Sequence, residues 1–212
     1  MKYIYQHLGL GDHFICNGLI RTLIQPNENY ILFAKLHNRA SVLSMFSDLP
    51  NLFVEIANDD HARSKIDHTS IIIGHIGWPF PGLSFEQSFY AQHNIPFINK
   101  WDAFHAPRSS NQILLNTNEP YIFIHDDNRF KIDENRINST YKAYRPLRET
   151  TSCILDYVDL IRGAAEVHCI ESSFAFMTDI MGLNDNLYIH RYSRTLQHIE
   201  VPQYRTVKEI YI

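Results

Sequence analysis

Cysteine is scarce in this chain: three residues in 212, Cys16, Cys153 and Cys169, an odd number set far apart. That pattern excludes a disulfide framework and reads as reduced thiols in apolar surroundings, with a cytoplasmic protein expected. No run of about 18 apolar residues occurs, so no segment is expected to cross a membrane. The N-terminus lacks a basic stretch leading into an apolar core, and no secretory signal is expected. Excess positive charge is lacking too. With 19 Lys and Arg against 23 Asp and Glu, the formal net charge is −4, which gives no electrostatic case for nucleic acid as a partner. Histidine is plentiful at 12 residues, but none has zinc-ligand spacing beside Cys or Glu. What is present suits a globular protein, 45% hydrophobic and 20% charged, and 212 residues fit one domain or two small ones.

Along the chain, short apolar runs alternate with stretches of helical spacing. Lys2 to His7, Tyr30 to Leu36, Asn51 to Ala57 and Ser70 to His75 read as strands. The unbroken Ile71-Ile72-Ile73 core suggests a strand covered on both faces. A helix follows the first strand on Ile15, Leu19 and Leu23, and another is expected over Asn38 to Phe46 behind an Asn cap. Strands separated by helices indicate a parallel sheet with crossovers. Trp78-Pro79-Phe80-Pro81-Gly82 reads as a loop, and Ser84 with Gln87 as a capping box opening a helix to His93. Ile95 to Arg108 has no clean period. A second series then begins with Tyr121 to His125, and Asp133 to Arg148 holds a short strand and a loop. A helix is expected over Ile154 to Ala164, a strand at Glu166 to Ile170, and a helix after Glu171-Ser172-Ser173 that stops at Gly182. Further strands are expected at Asn186 to His190 and Lys208 to Ile212. No internal sequence repeat is evident. The expectation is α/β: two small Rossmann-like parallel-sheet domains, residues 1–112 and 113–212.

Two helix N-termini are candidates for chemistry. In Gly9-Leu10-Gly11-Asp12-His13 the glycines suit a tight turn with positive φ, and Asp12 stands at the carboxyl end of the first strand, where open α/β sheets bind ligands. No third glycine completes a dinucleotide fingerprint, and a carboxylate there also serves as a plain helix cap. At the second N-terminus, Ser172 and Ser173 bring hydroxyls to free N–H groups and a dipole that favour an anion; an ordinary Ser cap has the same sequence. Glu171 suits hydrogen bonds from a ribose diol or a solvated position. Arg129 and Lys131 follow a buried strand and suit a diphosphate, or a solvated basic loop. Asp126-Asp127, and Asp59-Asp60, are adjacent acids of the kind that hold Mg²⁺ or Mn²⁺ in some sugar transferases.

Gly9-Leu10-Gly11-Asp12-His13 with its helix, and Val167-His168-Cys169-Ile170-Glu171-Ser172-Ser173-Phe174 with its helix, resemble the two ends of a compact two-domain (GT-B type) glycosyltransferase, nearest the heptosyltransferase-like (glycosyltransferase family 9-like) branch. Ser84 to Arg108 resembles a segment of short members of that group. The chain departs from the larger enzymes in its length and in lacking their Asp-Thr-Gly type donor turn. The resemblance implies two Rossmann-like domains facing a central cleft, the first on the acceptor side and the second on the donor side. It implies a nucleotide-sugar donor, a glycan or other hydroxyl acceptor, Asp12 as catalytic base, and inversion without metal or other cofactor. Donor contacts are expected at Gly9, Gly11, His125, Arg129, Lys131, Glu171, Ser172 and Ser173. Two alternatives stand beside it: a metal-dependent nucleotide-sugar enzyme using Asp126 and Asp127, and a non-catalytic nucleotide- or glycan-binding module.

Overall fold

Strands of two to five residues, joined by crossovers, build two all-parallel sheets in this α/β chain. The computed structural model describes residues 1–75, 80–147, 149–193, 202–205 and 207–211. Trp78 and Pro79 of the expected loop, Arg148 and Ile212 lie outside these described residues. The chain divides into a unit covering Met1–Arg108 with Ile199–Pro202 and one covering Ser109–His198 with Gln203–Ile212.

In the first unit Lys2–Tyr5 (β1), Tyr30–Ala34 (β2), Leu52–Ile56 (β3) and Ile71–Ile72 (β4) pair in the order β3-β2-β1-β4. Between and after them run Leu10–Leu23 (α1), Arg39–Met45 (α2), Asp59–Lys65 (α3), Phe85–Gln92 (α4) and Asn99–Asp102 (α5). The buried face of α1 includes Ile15, Cys16, Leu19 and Ile20, the apolar positions whose spacing marks the helix.

In the second unit Tyr121–His125 (β5), Lys142–Tyr144 (β6), Glu166–Cys169 (β7), Leu187–His190 (β8) and Val207–Tyr211 (β9) pair in the order β6-β5-β7-β8-β9, with Val158–Arg162 (α6) and Ser173–Ile180 (α7) as helices. Numbered within their own units, the orders are 3-2-1-4 and 2-1-3-4-5. Each reverses direction once, between β1 and β4 and between β5 and β7. Crevices at the carboxyl ends of strands flanking such a reversal are where doubly wound sheets bind ligands.

Several local expectations change. The strand expected over Ser70 to His75 is two residues long and half-buried, because β4 is a sheet edge and Gly74, at φ 78°, turns the chain away just after Ile73. Asp59 and Asp60 form the first turn of α3, a helix absent from the sequence reading. Asn58 caps it by accepting the His61 N–H at 2.8 Å, and the two acids meet the positive end of the dipole. Asn38 makes no side-chain cap; its Nδ2 donates to the Leu8 carbonyl at 3.2 Å, and α2 opens through a 3-10 turn at Leu36–Asn38. The helix expected over Ile154 to Ala164 begins as a 3-10 turn, Ile154–Tyr157, in which the buried Asp156 carboxylate accepts the hydroxyls of Ser109 and Thr151. Ser84 and Gln87 form both halves of the expected capping box, and Gly182, at φ 57°, follows α7 as expected.

Candidate functional site

The turn after β1 takes its strained conformation at Leu8, φ 55°, and not at either glycine. Left-handed backbone costs a side-chain-bearing residue on the order of 1–2 kcal/mol and persists where its surroundings over-determine it. They do so here. The Leu8 N–H donates to Gln6 Oε1 at 2.9 Å, its carbonyl accepts from Asn38, and its fully buried side chain packs with Tyr5, Phe33, Ala57 and Ala62. This corrects the expected glycine turn: Gly9 is the extended residue before α1, at φ −73°, and Gly11 is already helical.

Gly9 matters for another reason. A Cβ built there would overlap Oδ2 of Asp12. Asp12, third residue of α1, folds its carboxylate back onto the Gly9 N–H, as an acid at that helical position can. Loss of water raises its pKa above the ordinary value, against the opposing pull of His7, the Gly9 N–H and Lys35.

Around Asp12 the carboxyl edge of the first sheet gathers side chains the sequence reading passed over. His7 Nε2 lies 3.0 Å from the Gly74 carbonyl, which can only accept, so that nitrogen carries the hydrogen. The His7 ring stacks on His75 at 4.4 Å, and His75 stacks on Tyr5 at 4.5 Å. Burial, then repulsion from His7, holds His75 below its usual pKa. Arg63 Nε–H donates to the Tyr5 hydroxyl at 2.9 Å, and Lys35 Nζ is 3.5 Å from Asp59 Oδ2. His7, Lys35 and His75 each stand within three residues of a strand's carboxyl end, the position signal that would have found them.

In the second unit the residues flanking the reversal meet directly. Ser172 Oγ, after β7, is 3.0 Å from Nδ1 of His125, the last residue of β5. Burial pushes the His125 pKa down to about 4, so the ring is neutral at pH 7, and it packs on Phe174 at 4.3 Å. Ser172 is the residue before α7, yet its hydroxyl serves His125 and makes no cap bond to the helix; Ser173 opens the first turn, half-buried.

Glu171, a candidate for a ribose diol, binds side chains of its own unit. It is buried, one carboxylate oxygen accepting from Arg191 Nε at 2.7 Å and the other from the Tyr204 hydroxyl. Its burial is met by the chain's own donors. Arg129 and Lys131 stand on the loop after β5 with side chains 80% and 63% exposed, 3.5 Å from Asp127 and 3.4 Å from Asp126 respectively. Asp127 Oδ1 accepts the N–H groups of Arg129 and Phe130, an Asx turn. Asp126 accepts from the Ile132 N–H and lies 3.5 Å from Arg145 Nε.

Among the described residues no group of three or more His, Cys, Asp and Glu side chains is placed to hold a metal ion, and no helix is long and apolar enough to cross a membrane. None of the three cysteines is in a disulfide, and Cys16 and Cys169 are pushed up in pKa by burial. No family model, no curated protein and no solved structure matches this chain.

Proposed function

We propose that the chain is a glycosyltransferase of the GT-B type, nearest the heptosyltransferase-like branch, which moves a sugar from a nucleotide-sugar donor to an acceptor hydroxyl. Residues 1–112 would serve the acceptor and residues 113–212 the donor. The observation that carries this reading is Asp12: a carboxyl at the carboxyl end of β1, beside the reversal of its sheet, with its pKa raised by loss of water. A general base works best with a pKa drawn toward the working pH, and a positioned one contributes roughly 10²–10⁴-fold.

In the proposed reaction the acceptor oxygen attacks the anomeric carbon as its proton passes to Asp12. The bond from that carbon to the diphosphate oxygen breaks in the same displacement, which inverts the centre. Arg129, Lys131, His125 and the opening of α7 with Ser172 and Ser173 would take the charge that grows on the departing nucleoside diphosphate. Asp126 and Asp127 already accept hydrogen bonds from their own loop, which favours a metal-independent reaction over the alternative that assigns them a cation.

A second reading has an observation of its own. The Asp12 carboxylate lies back against Gly9 from the third position of α1, the place of a helix-capping acid, and a non-catalytic nucleotide- or glycan-binding module would need Asp12 for nothing more. A thermal-shift screen of nucleoside diphosphates and their sugars, with and without Mn²⁺, identifies the ligand, because a specific ligand stabilises the folded chain. Transfer assays on Asp12→Asn then decide. Loss of transfer with donor affinity held within a few-fold supports the base; wild-type binding without turnover on a broad acceptor panel supports the module.

A further inference from the structure

On β7, Glu166 and His168 alternate with Val167 and Cys169; on β8, Tyr188 and His190 alternate with Leu187 and Ile189. Successive side chains of a strand face opposite ways, and the register sets His168 beside Tyr188, so these four polar side chains share one face of the sheet. There they make a chain of contacts. Glu166 Oε2 is 2.9 Å from His168 Nε2, and His168 Nδ1 is 3.0 Å from His190 Nε2. His190 Nδ1 is 3.1 Å from the Tyr192 hydroxyl, whose oxygen accepts the Asp133 N–H at 2.9 Å. Both imidazoles are buried, while Glu166 and Tyr192 at the two ends are half-buried.

The donors and acceptors can be assigned one bond at a time. An ionised carboxylate only accepts, so His168 carries its hydrogen on Nε2. A neutral His168 then accepts at Nδ1, and His190 donates from Nε2. A neutral His190 accepts at Nδ1, and Tyr192 donates its O–H. Now one proton is added to the pair. If His190 takes it, an N–H appears at Nδ1, facing Tyr192. If His168 takes it, Nδ1 becomes a donor, and His190 must accept at Nε2 and carry its hydrogen on Nδ1. In either case the phenol oxygen becomes the acceptor.

We infer that Glu166, His168, His190 and Tyr192 form a proton relay in which one proton taken up by the histidine pair reverses the last hydrogen bond and releases the Tyr192 O–H to donate elsewhere. Tyr192 holds the Asp133 N–H at the start of the 3-10 turn Glu134–Arg136, which follows the loop bearing Arg129 and Lys131. Resting on the donor-side reading of that loop, the inference makes Tyr192 a ligand-binding residue whose O–H is offered to a bound diphosphate when the pair is protonated. Charged and titratable groups around the relay are Glu166 on β7, Tyr188 stacked on His168, Lys208 of β9 over Tyr188, Asp133, and Arg136 over the Tyr192 ring at 4.2 Å. Burial, with repulsion from His168 and Arg136, holds His190 down to about 4. An anion over Arg136 opposes that repulsion and draws a proton into the pair.

NMR of the full chain, with ¹⁵N-histidine and ¹³Cζ-tyrosine labels, tests the relay without any assay of sugar transfer. At pH 7 both His168 and His190 are expected as Nε2–H tautomers; an Nδ1–H form of either ring overturns the assignment. On acidification the pair and Tyr192 are expected to share one midpoint, which Glu166→Gln, still an acceptor through its amide oxygen, lowers by about half a pH unit at Tyr192. Separate midpoints in the wild type, or a Tyr192 signal indifferent to Glu166→Gln, overturn it. If that variant does not fold, the wild-type tautomers and midpoints decide. Inorganic pyrophosphate is expected to raise the shared midpoint. A shared midpoint that pyrophosphate leaves unmoved keeps the relay and overturns its link to the donor side.

Discussion

Gly9 and Asp12 make one device at the scale of single residues: the missing Cβ leaves the space that the carboxylate occupies. Gly9→Ala keeps an ordinary backbone conformation, so its cost in stability should be about 1 kcal/mol or less, while displacement of Asp12 should lower the proposed sugar transfer at least about tenfold. Parallel urea unfolding and transfer assays check this, and a variant as active as wild type would show that Asp12 is placed without Gly9. A second residue pair bears on stability alone. Lys100 and Glu86 are both fully buried, with 2.7 Å between Nζ and Oε2, and the ammonium also lies 4.8 Å from the Trp101 ring. Removing one member of such a pair strands a charge. Lys100→Met should cost about 3–5 kcal/mol in a urea melt, and adding Glu86→Gln should recover part of it.

Among the elements, α1 carries the candidate residue Asp12 at one end and packs on α5 through Gly18, where a Cβ would run into the Asn99 carbonyl oxygen. Backbone does not yield as a side-chain tip does, so Gly18→Ala should destabilise the first unit by about 1–3 kcal/mol, read from the urea midpoint. Strands and capped helices were the legible part of the fold: Tyr121–His125 matches its apolar run residue for residue, and Ser84 with Gln87 marks the start of α4. Both signals are local, carried by side chains that act on their own backbone. The helices that went unread, α3 and α5, are seven and four residues long, and α3 carries charge where a longer helix would show an apolar stripe. Glycines at 9 and 11 suggested a glycine-bent turn because positive φ is their common use. The bend fell instead on Leu8, held by Gln6, by Asn38 thirty residues away, and by an apolar core.

For the whole molecule, buried histidines set the response to acid. Burial lowers His13 to about 3, and His125 and His190 to about 4, from an ordinary 6.5. The unfolded chain therefore binds protons first as pH falls. Stability is full above about 6.5 and declines as pH drops toward about 4. Asp12, raised in the fold, works the other way by a smaller number of groups. The urea midpoint should hold steady from about pH 7 to 8 and decline continuously below about 6.5; a midpoint unchanged down to pH 5 would contradict the burial of these rings.

Hydrophobic alternation and cap chemistry are written in consecutive residues, and from them follow parallel α/β units with Asp12 and Ser172 at the opening of a helix. The partners of those residues are not written that way. His7 meets Gly74 and His75 because β1 and β4 are neighbours, Ser172 meets His125 because β5 and β7 are, and Glu171 meets Tyr204 across 33 residues. Strand order and register decide who stands beside whom, and they arise from the packing of whole elements, to which no single stretch of sequence holds the key.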